Sequence, residues 1–150
     1  MCKGRDVVIR LASLVDWLPG LLSRICIGFI FIQSGWGKLH HLDKVIAFFT
    51  SLGIPAANLQ APFVASIELV GGSVVLIGLF TRVASIPLIG TMFVAILTAK
   101  RGDIHELGDL LFMPEFLFIV MLLWLMIKGA GALSVDHFLA AQCDNKGNGK

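Results

Sequence analysis

Besides Lys38 near one segment's end, three charged residues stand inside long apolar stretches of this chain: Arg24, Glu68 and Glu115. A charge left alone in hydrocarbon costs at least about 2.5 kcal/mol even on the most lenient insertion scale, so such groups persist where they pair, move a proton or hold a ligand. On a helical wheel, Arg24 shares a stripe with Gly28, Phe31, Gly35 and Lys38. Glu68 shares one with Gly71, Val75, Gly78 and Arg82, and Glu115 one with Leu122 and Met126. Small residues beside charges let membrane helices approach closely, so the stripes are expected to turn inward and bring Arg24, Glu68 and Glu115 face to face. At a helical rise of ~1.5 Å per residue, both carboxylates lie ~20 Å from one membrane face and Arg24 ~10 Å from it. One guanidinium cannot neutralise two carboxylates, so a proton, a cation or a hydrogen-bonding ligand has to complete the set. Such a set could exchange protons with a ligand or hydrogen-bond its oxygens. The plainer alternatives are an Arg24–Glu68 ion pair that only fixes helix register, and a Glu115 carboxylate favoured by the N-terminus of its helix.

The other polar residues point to less. Lys38 is expected to reach the outer headgroups along its apolar stem. Gln33, on the face opposite Arg24, is read as an interhelical hydrogen bond. Thr91 and Thr98 are read as bonding back to their own helix. His40, His41 and His105 are acceptable metal ligands in type, but they come from two separate loops with no ligand spacing, so no metal centre is expected. No metalloprotease, phosphate-loop, Ser/His/Asp or dinucleotide signature is present. The three cysteines, Cys2, Cys26 and Cys143, form no C-x-x-C pair, and Cys26 reads as a small packed hydrophobe.

The elements that must position these groups follow from composition. Of the 150 residues 57% are hydrophobic and only 15% charged, against about 25% charged in an ordinary soluble domain. That argues against a soluble enzyme, a disordered chain or a secreted disulfide scaffold. Twelve basic against ten acidic residues are too even for a nucleic-acid binder. Crossing ~30 Å of hydrocarbon takes about 20 helical residues. Four segments qualify: 17–39, 62–81, 83–99 and 110–127. The expected fold is therefore all-α, a bundle of four transmembrane helices. Residues 44–52 are apolar but too short to span, and are read as an interfacial or re-entrant helix between the first two. No cleavable leader is expected after the basic start, because Asp6, Asp16 and Arg24 interrupt the apolar run. Residues 1–139 are read as one membrane domain and 140–150 as a disordered polar tail. Lys3, Arg5, Arg10, Arg82, Lys128, Lys146 and Lys150 gather on the side of the termini, against Lys38, Lys44, Lys100 and Arg101 opposite. The bias places both termini in the cytoplasm.

The runs RICIGFIF from Arg24 and GWGKL from Gly35, then SLGIP from Ser51, ELVGG from Glu68, GLFTR from Gly78 and GAGALSVD from Gly129, resemble the DoxX family over about residues 20–138. The resemblance implies a small four-helix protein of the bacterial inner membrane. Arg24, Gly35, Lys38, Glu68, Gly72 and Glu115 match the family's recurring polar and glycine positions and are the candidate ligand-binding residues. Ala130 and Ala132 stand where many relatives carry Pro and Arg. The resemblance also implies a subunit tied to redox chemistry, in a quinone-linked or thiol/sulfur-linked complex, with protein partners or further copies of itself. Quinone is the cofactor implied; no haem or iron–sulfur ligand set is present, so electrons would be carried elsewhere. The competing expectations are an assembly subunit without chemistry and a carrier of a small solute or proton.

Overall fold

The computed structural model describes residues 17–99, 107–129 and Ser134, and every regular element among them is helical. Six helices follow in order: α1 Trp17–His40, α2 Leu42–Ser51, α3 Ala57–Ile77, α4 Thr81–Ala99, α5 Leu107–Phe112 and α6 Pro114–Lys128. Three of them, α1, α3 and α4, are long and apolar enough to cross a membrane. The polar tail expected over 140–150, and residues 100–106 between α4 and α5, lie outside the described residues.

Local chemistry sets where the helices stop. After α2, Gly53 turns left-handed at φ +71°. Ile54 N–H then bonds Phe49 O at 3.0 Å and Gly53 N–H bonds Thr50 O at 3.0 Å, which satisfies the last carbonyls. Gly78 ends α3 in the same way at φ +78°, with Leu79 N–H on Val74 O at 3.1 Å. Only Leu79 and Phe80 then separate Gly78 from α4, so α3 and α4 run antiparallel. The expected fourth span, 110–127, is divided. Pro114 disfavours helical geometry in the residue before it, and Met113 is extended at φ −73°, ψ 129°. Pro114 itself starts α6, where its missing N–H is no loss. At 15 residues α6 alone is about 22 Å long, short of a full crossing by itself.

The helices pack as an up-and-down bundle. α1 lies against α3, α4 against α6, and α3 against α4. The core joins Ile27 and Phe31 of α1, Val75 of α3, Leu88 and Met92 of α4, and Leu122 and Leu125 of α6. The outer surface is as greasy as the core: Phe29, Trp36, Phe63, Ile77, Ile86, Phe93 and Ile127 are all exposed. In water such a surface would aggregate; in lipid it is ordinary, and helix association rests on close packing instead. α2 has no buried residue.

Candidate functional site

The α1–α3 contact is made by small residues meeting backbone. A Cβ placed on Gly35 would stand 2.5 Å from Leu69 N and 2.7 Å from Ala65 O. One on Gly72 would stand 2.8 Å from Phe31 Cβ and 2.9 Å from Ile32 N, and one on Gly28 would be 3.0 Å from Gly72 O. These contacts fix an antiparallel register in which residue numbers fall along α3 as they rise along α1.

That register brings Lys38, not Arg24, to Glu68. Lys38 Nζ donates to Glu68 Oε1 at 2.5 Å and to Oε2 at 2.6 Å, and Ser34 Oγ donates to Oε2 at 2.8 Å. Ser34 and Lys38 are four residues apart and so share one face of α1, with Gly35 between them admitting the α3 backbone. Glu68 lies midway along α3 and is 1% exposed, whereas Lys38 is 30% exposed. A carboxylate at such depth persists because it is paired and hydrogen-bonded on both oxygens. The expectation that Lys38 reaches outward to the headgroups is corrected: its stem folds inward. Ser34 is not among the candidates that the sequence suggests; its position one turn before Lys38, at the edge of the stripe, is the signal that marks it.

Arg24, expected beside the two carboxylates, sits instead at the far end of the α1–α3 contact. It is 4% exposed, and its guanidinium lies against Gly78, with Ser134 beside the same glycine. Gly78 follows Glu68 by ten residues, about 15 Å along α3. Depth counting treated each helix separately, and the interlocking of Gly28, Gly35 and Gly72 overrides it. Arg24 instead places positive charge at the C-terminal end of α3, where the helix dipole favours it.

Glu115 occupies the first turn of α6, as expected from Pro114. Its Oε2 is buried and has no hydrogen-bond partner among the described residues. One turn on, Phe118 packs on Phe31 with ring centroids 6.0 Å apart. The end of α6 meets the start of α4, since a Cβ on Gly129 would lie 3.3 Å from Arg82 Nε, so α6 runs antiparallel to both α4 and α1. Counting three residues back from Phe118 and three on from Phe31 sets Glu115 at the level of Ser34. Two carboxylates do share a level, Glu68 with its cation and Glu115 without a described partner.

The remaining polar residues are simpler. Thr91 Oγ1 and Thr98 Oγ1 donate to Leu88 O and Val94 O at 2.8 Å, within their own helix as expected. Gln33 is exposed on the outer face rather than between helices, and so is Cys26, which faces outward instead of packing. His40 Nδ1 lies 3.0 Å from Trp36 O and its ring stacks obliquely on that indole; His41 precedes α2 and is exposed. His105 lies outside the described residues. Among the described residues no three His, Cys, Asp or Glu side chains converge on a metal position.

A bundle with an apolar exterior and an ion pair enclosed between two of its membrane-spanning helices is an integral membrane protein of the lipid bilayer. The chain belongs to the DoxX family, whose family model matches residues 20–101. It is 33% identical over 119 residues to a Bacillus subtilis protein named "Putative oxidoreductase CatD", covering 79% of this chain and 85% of that one. It is 29% identical over 119 residues to the Escherichia coli inner membrane protein YqjF, covering 79% and 90%. It is also 30% identical over 128 residues to the Mycobacterium tuberculosis membrane protein Rv3486, covering 78% of each chain. No solved structure matches the chain.

Proposed function

We propose that this protein is a membrane subunit of a redox complex, quinone-linked or thiol/sulfur-linked, that holds a small amphipathic ligand among its helices. The observation that carries the reading is that Glu68, held by Lys38 and Ser34, and Glu115, whose buried Oε2 has no hydrogen-bond partner among the described residues, fall at one level of the bundle. The Bacillus subtilis relative whose name contains oxidoreductase supports it. A quinone offers two carbonyl acceptors on an apolar body, and the residues present fit that need. Lys38 has three N–H donors and spends two contacts on Glu68. Glu115 is a carboxyl that can hold or release a proton at Oε2. When bound, the quinone would supply two-electron, two-proton chemistry; the chain's own part is to orient the ring and to hold a proton at a carboxyl oxygen. A quinone analogue should bind the purified protein saturably, and Glu115→Gln or Glu68→Gln should weaken binding about tenfold, the size of a charge-assisted hydrogen bond. Absence of saturable binding in both lipid and detergent would end this reading.

A second reading, an assembly subunit without chemistry, is favoured by one observation: both oxygens of Glu68 are already satisfied from α1. A Lys38→Met/Glu68→Met double variant that folds and leaves the host complex fully active would support it over the first.

On either reading α5 and α6 together complete a fourth crossing, α2 lies at the interface, and both termini face the cytoplasm of a bacterial inner membrane. Two relatives are named inner membrane proteins, and Arg82 and Lys128 share the end of the bundle proposed to face inward. A reporter fused after Lys150 should be shielded from external reagents in intact cells while a label within residues 100–106 reacts. The reverse pattern would overturn the orientation.

A further inference from the structure

Among the described residues the carboxylates lie toward one end of the bundle, together with Lys38 and Lys44, and the other end holds cations alone. The described carboxylates, Asp43, Glu68, Asp109 and Glu115, belong to the half where α1 ends and α3 and α6 begin. The other end holds Arg24, Arg82 and Lys128. Arg82, in the first turn of α4, and Lys128, the last residue of α6, are both exposed. They are held near each other because α6 ends at Gly129: a Cβ there would stand 3.3 Å from Arg82 Nε and 3.5 Å from Nη2, so the guanidinium lies alongside the residue next to Lys128. Lys128 Nζ sits 5.5 Å from the centroid of the Trp124 ring, which fixes the direction of that side chain as well. Among the described residues neither cation has a carboxylate partner. Their positive potential is opposed by no described carboxylate, so this end of the bundle attracts anions.

The surroundings say which anion. Trp124 is half exposed, as an indole at the lipid–water boundary is. Phe80, Val83 and Ile127, flanking the two cations, are 64%, 63% and 69% exposed. A free inorganic anion would gain nothing from this apolar margin, whereas an anion carrying acyl chains would use it. An arginine fork also suits a phosphodiester, which it can hold through two N–H groups.

We propose that Arg82 and Lys128, with the Trp124 ring, form a binding site for the headgroup of an anionic phospholipid where the start of α4 meets the end of α6. The site is separate from the Lys38–Glu68 set and does not depend on the function proposed above.

The test is native mass spectrometry of the full chain released from detergent, titrated with phosphatidylglycerol or with phosphatidylcholine. Wild type should retain phosphatidylglycerol in preference to phosphatidylcholine. Arg82→Gln and Lys128→Gln should each lower its affinity about fivefold, and the double variant about thirtyfold, from the contribution of a basic residue at an anionic surface. Arg82→Lys should keep more affinity than Arg82→Gln, because it keeps the charge while losing the fork. Should the double variant not stay monodisperse, the two single variants carry the test, each through its own fivefold loss. Equal retention of the two lipids, or unchanged retention by the variants, would overturn the proposal. Displacement of phosphatidylglycerol by millimolar inorganic phosphate would overturn the choice of a lipid over a free anion.

Discussion

Replacing Lys38 with methionine is expected to destabilise the protein by about 3–5 kcal/mol, the usual consequence of stranding one member of a buried ion pair. Glu68→Gln is expected to do distinctly less harm. The asymmetry comes from burial: Glu68 is 1% exposed and Lys38 30%. Without Lys38, the carboxylate midway along α3 keeps only Ser34 Oγ as a described donor. Without the negative charge on Glu68, Lys38, two residues from the end of α1, can swing its ammonium toward the interface along its four-carbon stem. The glutamine oxygen can still accept from Ser34. The double variant Lys38→Met/Glu68→Met removes both charges and should recover much of the single-variant loss. Reversible unfolding in bicelles of wild type, Lys38→Met, Glu68→Met and the double variant measures the cycle. A Lys38→Met protein as stable as wild type, or strictly additive single effects, would show that the two side chains do not act as a unit.

Gly35→Ala is expected to cost about 1–3 kcal/mol, the range for forcing volume into a packed contact. The added methyl carbon would meet Leu69 N at 2.5 Å and Ala65 O at 2.7 Å, and both are backbone atoms of α3 that cannot rotate away. Relief requires the two helices to separate, which also draws Glu68 away from Lys38. The same substitution should therefore cost less in a Lys38→Met background, where that contact is already gone. Gly20→Ala and Gly90→Ala are the controls, since nothing lies within 4 Å of either added carbon. They should be neutral, or gain up to about 1 kcal/mol from the helix preference of alanine over glycine. Thermal unfolding in one detergent separates the outcomes, and a Gly35→Ala chain that melts with the Gly20→Ala control would remove the close-approach account.

Much of the architecture was legible from residues alone. The apolar lengths announced α1, α3 and α4 to within a few residues at most boundaries. The first-turn position of Glu115 followed from Pro114, and the short helix after α1 was legible as the apolar run 44–52, too short to cross, which the structure forms over Leu42–Ser51. The division of the expected fourth span at Met113 was also written in the chain, in the proline after it, although the run of hydropathy obscured it. The partners of the charges were not legible. Arg24, Lys38 and Glu68 each stood on the expected stripe, yet the pairing that the stripes suggested was the wrong one.

The reason lies in how many helices each property involves. Whether a segment enters lipid, and where a glycine or proline ends it, depends on that segment's own backbone and side chains meeting water or hydrocarbon, so a single chain of letters determines it. Which cation faces Glu68 depends on how far α1 slides along α3 before Gly28, Gly35 and Gly72 lock against the opposite backbone. A slide of one or two turns leaves every hydropathy pattern unchanged while exchanging Lys38 for another residue at that level, and only the packed pair of helices selects one register.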